Sequence, residues 1–252
     1  MNTVSAPGIA ALALVALLST GCDNGSSTTL TQNLATTSAP TPIAPSPAAT
    51  NAALTIDGTG GTSVNPIPLA AALEAFPMGE ITLAERAGVI FLREEEKLAA
   101  DLLAFAASRW GDPLFAGMTV AERSNSDAVK LLMTRHGIYD PAAGKATGVF
   151  EDRGLQTLFD ALRARVELSL IDALLVSAEV AEISLVDLAS HTANVSDNPD
   201  ILRVYELLTL SARNHLRAYL ASLRQHGLDY KAQYLTSAAL AAISTSAFES
   251  GN

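Results

Sequence analysis

The chain has 252 residues, and its 26 acidic against 16 basic side chains give a formal net charge of −10. With a sequence pI of about 4.8, the chain lacks the basic surface that nucleic-acid binding requires. Its only cysteine excludes an internal disulfide, so the fold must be held by a packed core or by a metal ion.

A short apolar segment, residues 7–18, lies near the start of the chain and is followed by small residues and then by Cys22. It is too short to span a bilayer, and the order of these parts resembles a bacterial lipoprotein signal. No Lys or Arg precedes the segment, and Ser19 stands where such signals usually carry Leu. An ordinary signal peptide and a small buried thiol are the alternatives. We expect residues 1–22 to be a lipoprotein-type signal peptide with a lipidated Cys22, which would place the protein in the cell envelope, exported and anchored to a membrane.

Residues 23–77 are rich in Ser, Thr, Pro and Ala, and no Lys or Arg occurs from residue 23 to residue 75. Such a composition cannot build a packed core and predicts a flexible linker. Helical periodicity begins at about residue 78. We therefore expect a helical domain over residues 78–235 and a tail over residues 236–252.

The hydrophobic periodicity of the domain predicts four main helices and one short helix. The main helices are expected over residues 82–110, 119–136, 170–191 and 201–226, and the short helix over residues 155–162. No segment alternates with period two over a useful length, so no sheet is expected. The pattern is typical of an all-α four-helix bundle in which a long crossover, containing the short helix, joins the second and third main helices.

Four polar residues take positions where the helical periodicity calls for apolar ones. They are Glu95, Glu122, Glu182 and His215, one on each main helix. A charge inside a bundle is costly unless it is paired or binds a metal. In ferritin-like bundles, two helices each supply a Glu and the other two each supply a Glu-x-x-His pair to a di-metal centre. The four residues therefore predict a di-metal site for iron or manganese, because carboxylate and imidazole ligands suit these ions.

Two positions depart from that pattern. Asn125 stands where a His would complete the pair on the second main helix, and Ala212 stands where a Glu would complete the pair on the fourth. Asn125 can ligate a metal through its amide oxygen. Glu179, on the third main helix, is the other weaker candidate ligand.

Four segments of the domain carry a resemblance to a known family. They are residues 91–99 (FLREEEKLA), 127–129 (DAV), 197–201 (DNPDI) and 213–218 (RNHLRA). In combination they resemble an uncharacterised bacterial and archaeal ferritin-like family catalogued as domain of unknown function 2202, over roughly residues 84–234. The resemblance implies a ferritin-like fold and a metal site, but no named substrate.

The resemblance also shows where this chain departs from the family. The family carries a His on the second helix where this chain has Asn125, and a Glu-Glu pair on the third helix where this chain has Ala181 and Glu182. Glu179 could compensate for the missing carboxylate. The family itself lacks a Glu at the position of Ala212, so that residue is less of an anomaly.

The polar residues of the helices can also be interpreted without a metal. Arg213 and Arg217 could pair with interior carboxylates in its place, and His215 alone could be a satisfied core histidine. Glu94 and Glu96 flank the polar position on the first main helix, and we expect them to pair with basic side chains instead of joining the site.

Two functions fit the sequence. The first is an exported ferritin-like protein that binds a di-metal centre, for oxygen or peroxide handling or for simple metal binding. The second is a non-enzymatic helical interaction module that has lost the metal. In either case the expected partner is a membrane, through the lipid on Cys22, and a homo-oligomer is a further option. Whether the chain is an enzyme stays open.

Overall fold

The computed structural model describes residues 53–250, so Cys22 and the predicted signal peptide lie outside the described residues. This part of the chain contains a two-stranded hairpin and seven helices. They are β1 (Leu54–Ile56), β2 (Thr62–Val64), α1 (Pro66–Leu73), α2 (Leu83–Trp110), α3 (Pro113–Arg135), α4 (Arg153–Val166), α5 (Leu170–Thr192), α6 (Pro199–Gln225) and α7 (Ser237–Thr245). The fold is mostly helical, and no helix among these is long and apolar enough to cross a membrane.

The long helices begin and end at local signals in the sequence. Thr82 and Glu85 form a capping box at the start of α2, and Gly111 ends this helix in the left-handed conformation at φ 68°. The helix α3 begins at Pro113, six residues before the predicted start, because Asp112 caps it and Pro113 fits the first turn. The short segment from Gly111 to Pro113 thus ends one helix and begins the next.

The four long helices pack as two neighbouring pairs, α2 with α3 and α5 with α6, and α2 also contacts α5. The short helix α4 packs against both α2 and α5, so the crossover lies along the bundle. Two separate apolar clusters form the core. One cluster contains Leu98 of α2 and Leu216 of α6, and the other contains Leu92 of α2 and Leu208 of α6.

A layer of polar side chains lies between these two apolar clusters, at the same level on all four long helices. We call it the polar layer, and it consists of Glu95, Glu96, Glu122, Asn125, Asp187, Ser211 and His215. On α5, the flanking core residues are Leu185 of one cluster and Leu188 of the other. The polar layer is therefore an internal level of the bundle and not a surface patch.

The folded region begins earlier than the predicted boundary at residue 78. The strands β1 and β2 pair antiparallel with Leu54 opposite Val64, which corrects the expectation of no sheet. Strands of three residues are too short to show a period of two. The helix α1, within the predicted linker, is capped by Asn65 and buries Leu69 and Leu73. The region predicted as a tail likewise contains α7.

Candidate metal centre

The polar layer brings together three of the four predicted ligands, Glu95, Glu122 and His215, together with Asn125. Glu122 and His215 are joined directly, because Nδ1 of His215 lies 2.8 Å from Oε1 of Glu122. The second carboxylate oxygen of Glu122 accepts a hydrogen bond of 3.0 Å from the amide nitrogen of Asn125. Both oxygens of Glu122 are thus engaged by neighbours from α3 and α6.

The tautomer of His215 follows from its second nitrogen. The backbone N–H of Thr62 in β2 donates to Nε2 of His215 over 2.9 Å, so Nε2 must present its lone pair. In a neutral imidazole one nitrogen accepts and the other carries the proton. The proton of His215 therefore lies on Nδ1 and is donated to Glu122. In this state neither ring nitrogen has a free lone pair for a metal ion.

Asn125 also forms a hydrogen bond with β2. Its Oδ1 accepts a hydrogen bond of 3.3 Å from the backbone N–H of Val64, while its amide nitrogen donates to Glu122 and, over 2.9 Å, to Ser211. An amide can accept and donate twice at once, which a neutral imidazole cannot. Asn125 thus contributes a hydrogen bond to the contact between α3 and β2.

Glu95 is the most deeply buried acidic side chain of the polar layer. It is 2% exposed, and both of its carboxylate oxygens are buried with no N–H or hydroxyl donor among the described residues. The neighbouring group that can share a proton with it is the carboxyl group of Asp187. Burial raises the pKa of Glu95 well above its ordinary value, and the negative charge of Asp187, the hydrogen bond with Asp187 and the charge of Glu122 raise it further. A buried carboxylate in this setting requires either a proton or a cation.

Glu96 and Asp187 complete the acidic part of the polar layer. Burial and then the charge of Glu122 raise the pKa of Glu96 well above its ordinary value. Burial also raises the pKa of the half-buried Asp187. For Glu122, burial raises the pKa, but the interactions with His215, Glu96 and Asn125 outweigh it and lower the pKa. The layer therefore combines one carboxyl group whose pKa is lowered, Glu122, with three whose pKa is raised, Glu95, Glu96 and Asp187.

Glu182 has a different environment from the other predicted ligands. Its carboxylate accepts hydrogen bonds from the backbone N–H groups of Gln233, Tyr234 and Leu235, with the closest distance 2.7 Å. It is fully buried in the part of α5 that belongs to the first apolar cluster. Among the described residues, no hydrogen bond joins Glu182 to the polar layer. This side chain fixes the segment after α6.

The neighbour of Glu182 faces the polar layer instead. Ala181 lines the same cleft as Glu122 and Tyr219. A carboxylate at position 181 would therefore lie in the cleft that Glu122 also lines, and in this chain the position carries only a methyl group. Glu179, the other weaker candidate, forms an ion pair of 2.6 Å with Arg165.

The arginines proposed as alternative partners of the interior charges bind the C-terminal segment. Arg213 donates to Glu249 over 2.7 Å, and Arg217 donates to the same carboxylate over 2.6 Å. Glu94, expected to pair with a basic side chain, accepts the backbone N–H groups of Glu151 and Asp152 at 2.6 and 2.8 Å. The expectation for Glu94 is wrong because its partners are backbone groups more than fifty residues away, and the expectation for Glu96 is wrong because this side chain is buried beside Glu122.

A complete di-metal centre does not fit the residues present. Of the residues that the structure describes, no three His, Cys, Asp or Glu side chains are already arranged to hold a metal ion. Glu182 is saturated by amides, Ala181 supplies no ligand, and His215 and Asn125 bind β2. What the polar layer does contain is a set of neighbouring acidic side chains, Glu95, Glu96 and Glu122, whose charges act on one another.

Comparison with known proteins identifies the family. The model of an uncharacterised protein domain, DUF2202, matches residues 85–247. The chain belongs to the DUF2202 family. It is 34% identical over 179 residues to the uncharacterised protein MJ0754 of Methanocaldococcus jannaschii, a match that covers 71% of this chain and 96% of that protein. The crystal structure of hypothetical protein MJ0754 from Methanococcus jannaschii superposes with a TM-score of 0.67 at 33% identity, and covers 69% of this chain and 99% of that chain.

One element of the site lies outside the residues that the family model matches. The hairpin of β1 and β2 precedes residue 85, where the DUF2202 match begins. The residues that sequence reasoning missed are Glu96, Asp187 and Ser211, together with the backbone of β2. Glu96 follows Glu95 directly on α2. Periodicity could have identified both only if two residues of one helix were allowed to belong to the polar layer.

Proposed function

We propose that this DUF2202 protein is an exported, lipid-anchored ferritin-like four-helix bundle that binds one divalent cation among the carboxylates of its polar layer. The four helices of the bundle would be α2, α3, α5 and α6. Glu95, Glu96 and Glu122 would be the ligands, with Asp187 beside them. The lipid on Cys22 would anchor the protein to a membrane in the cell envelope, and residues 23–52 would carry the chain away from that anchor.

One observation carries the proposal: Glu95 is 2% exposed, and neither of its carboxylate oxygens accepts a hydrogen bond from an N–H or hydroxyl group in residues 53–250. An unsatisfied buried polar group costs roughly 1–3 kcal/mol, and more if it is charged. A divalent cation would satisfy both oxygens, and it would also remove the repulsion between Glu95 and Glu122. The cost of burying a carboxylate without a donor is a reason to expect a cation or a proton at this position.

The donor chemistry favours manganese or iron in the divalent state. Carboxylate oxygens suit Mg²⁺, Ca²⁺ and Mn²⁺, while a ferritin-like bundle with imidazole ligands suits iron. With His215 held by Thr62, the oxygen-rich set favours Mn²⁺ over Fe²⁺. A bound redox metal would supply oxygen or peroxide chemistry, and the chain's own contribution would be to hold the ion and to exclude water.

A second candidate function is a metal-free helical interaction module. The observation that favours it is the engagement of both His215 and Asn125 by backbone groups of β2. In that case Glu95, Glu96 and Asp187 would stay neutral by holding protons, and the polar layer would serve only to position the hairpin.

Metal analysis of the purified full chain separates the two candidates. The protein is incubated with Mn²⁺ or Fe²⁺, desalted and analysed for bound metal, beside the variants Glu95→Gln and Glu179→Gln. Glu179 is the matched control, because it is an acidic residue of α5 that pairs with Arg165. We expect about one ion per chain in the wild type and in Glu179→Gln, and little in Glu95→Gln. A wild type without stoichiometric metal would support the second candidate.

Lipid anchoring is tested separately. Cells expressing the full chain or Cys22→Ser are labelled with a radioactive fatty acid and fractionated. We expect label in the wild type only, and release of the Cys22→Ser variant from the membrane fraction.

A further inference from the structure

We propose that the cleft between α2 and α5 is a binding site for one small neutral molecule of about the size of dioxygen, and that it brings such a molecule to Glu122 of the polar layer. Binding in the cleft depends on the residues that line it and does not need a metal ion. Only a meeting of the bound molecule with a cation would rest on the proposed function.

The wall of the cleft is formed by apolar side chains of two helices. They are Ala99, Leu102 and Leu103 of α2 and Val176, Val180 and Ala181 of α5. All six are buried residues of the first apolar cluster. The cleft is therefore an opening in the packed core between these helices, and its wall offers contacts to an apolar molecule.

The cleft reaches the polar layer at Glu122. This side chain of α3 lines the cleft and is 12% exposed, whereas Glu95 and Glu96 are 2% and 5% exposed. Its two oxygens interact with His215 and Asn125, so the carboxylate has a fixed orientation in the lining. A molecule bound in the cleft would thus lie beside one of the three proposed cation ligands.

The enclosed volume of the cleft limits the size of the molecule. It is about 10 Å³, close to the smallest volume that holds a molecule of the size of water. Such a volume suits a molecule of about one or two heavy atoms. A ligand of the size of a sugar or a nucleotide does not fit.

The chemistry of the lining favours a neutral molecule that needs no hydrogen bonds. A buried water needs about two to four polar partners. The hydroxyl of Ser177 already donates to the backbone C=O of Ala173 over 2.8 Å, and Tyr219 adds a phenol that is neutral at ordinary pH. Glu122 has a lowered pKa, so it stays negative near neutral pH and repels an anion. Dioxygen has the size and the polarity that these groups select.

Xenon and iodide form a matched pair of probes for the cleft. They have the same number of electrons and differ in charge, and anomalous diffraction locates both. Metal-free crystals of the protein are pressurised with xenon or soaked in iodide. Ala181→Leu places a larger apolar side chain in the cleft. Ala189→Leu is the matched control, because it makes the same change at an exposed position of the same helix.

We expect a xenon peak in the cleft of the wild type and of Ala189→Leu, because a dry apolar cavity binds this gas. The peak should be lost in Ala181→Leu. Ala99→Val, a smaller change on the α2 side of the cleft, gives the same test if Ala181→Leu does not fold. No iodide peak is expected there. A wild-type cleft without xenon, an iodide peak in the cleft, or an unchanged xenon peak in the folded cleft variant would overturn the inference.

Dissolved dioxygen can be followed directly in solution by NMR, because it is paramagnetic and speeds the relaxation of nearby nuclei. Under oxygen pressure, the methyl protons of Ala99 and Ala181 should relax faster than those of Ala128 and Ala173. The latter two are fully buried alanines outside the cleft lining. An equal effect on all four methyl groups would show that dioxygen does not collect in the cleft.

Both measurements are made without metal, so their outcome is separate from that of the cation proposal. Xenon in the cleft of a protein that binds no Mn²⁺ would support the cleft and reject the metal proposal. Mn²⁺ in the polar layer of a protein whose cleft binds no xenon would do the reverse.

Discussion

The backbone N–H of Thr62 and the imidazole of His215 form a hydrogen bond of 2.9 Å that joins the N-terminal hairpin to the centre of the helical bundle. This contact sets which nitrogen of His215 carries the proton, and hence what the side chain can bind. The neighbouring contact between Val64 and Asn125 has the same form. In sequence, the site resembles an incomplete metal centre. In the fold, two of its residues, His215 and Asn125, bind the backbone of β2.

Asn125→His is the first prediction, because it restores the residue that the family pattern would place there. A neutral imidazole has one donor and one acceptor, so it cannot accept from Val64 and also donate to both Glu122 and Ser211. We expect faster hydrogen exchange at Val64, and Mn²⁺ affinity higher by about tenfold or more, as for changes around a metal site. Asn125→Ala is the control, with the same loss of protection and no gain in affinity. An unchanged exchange rate in Asn125→His would contradict the assigned role of Asn125.

Glu182→Ala is expected to destabilise the fold without altering metal binding. It removes the acceptor of three backbone amides, and hydrogen bonds to charged groups contribute about 1.5–3 kcal/mol each. We expect the free energy of unfolding, from urea denaturation, to fall by roughly 3 kcal/mol or more. Glu179→Ala breaks only the pair with Arg165 and should cost about 1 kcal/mol or less. Loss of bound metal in a folded Glu182→Ala protein would show that Glu182 is a ligand after all.

Glu95→Gln is expected to change how the stability of the metal-free protein depends on pH. The pKa of Glu95 is raised well above 4.5 in the folded state by burial and by Asp187. The folded state therefore keeps a proton that the unfolded chain releases. The stability from this group is fully present below pH 4.5 and is lost as the pH rises through the folded pKa.

A glutamine side chain stays neutral at every pH, so the variant does not lose stability in this way as the pH rises. The variant should therefore gain stability over the wild type as the pH increases, by roughly 1–3 kcal/mol at pH about 8, the range for an unsatisfied buried group. The measurement is urea denaturation in the presence of a chelator, from pH about 5 to about 8. A constant difference across that range would mean that Glu95 does not hold a proton in the fold.

Glu249→Gln tests the contact of the C-terminal segment with α6. Burial raises the pKa of Glu249, but the hydrogen bonds and charges of Arg213 and Arg217 outweigh it and lower the pKa. Its contribution is present above the unfolded pKa of about 4.5 and is lost as the pH falls through the folded value. We expect the variant to be less stable by about 1 kcal/mol at pH about 7 and equal to the wild type in acid. Glu206→Gln, an exposed partner of Arg203, should change stability far less.

The sequence predicts the four long helices because their apolar periodicity and their capping residues agree. As expected, α2 begins after Thr82 and ends before Gly111. The family resemblance is confirmed by the DUF2202 match. The short elements β1, β2, α1 and α7 could not be predicted from the sequence. The strand β2 has three residues and is positioned by side chains of distant helices, such as Ser211, so no local pattern marks it.

The polar layer could be predicted in part. A charge at an apolar position is visible in one helix at a time, and this identified Glu95, Glu122 and His215. Periodicity cannot tell which level of the bundle a charge occupies, so it grouped Glu182 with them although Asp187 is the residue of α5 at that level. The partners of Glu182 are backbone amides 51 to 53 residues away, which no motif encodes.

Anomalous diffraction from crystals of the protein grown with Mn²⁺ would show directly whether the polar layer binds a cation. We predict one anomalous peak in the polar layer, with oxygens of Glu95, Glu96 and Glu122 at about 2.0–2.6 Å, the range for hard cations. We also predict that the peak disappears in Glu95→Gln crystals. A map without a peak in the polar layer, or with a peak only beside Glu182, would contradict cation binding by these carboxylates.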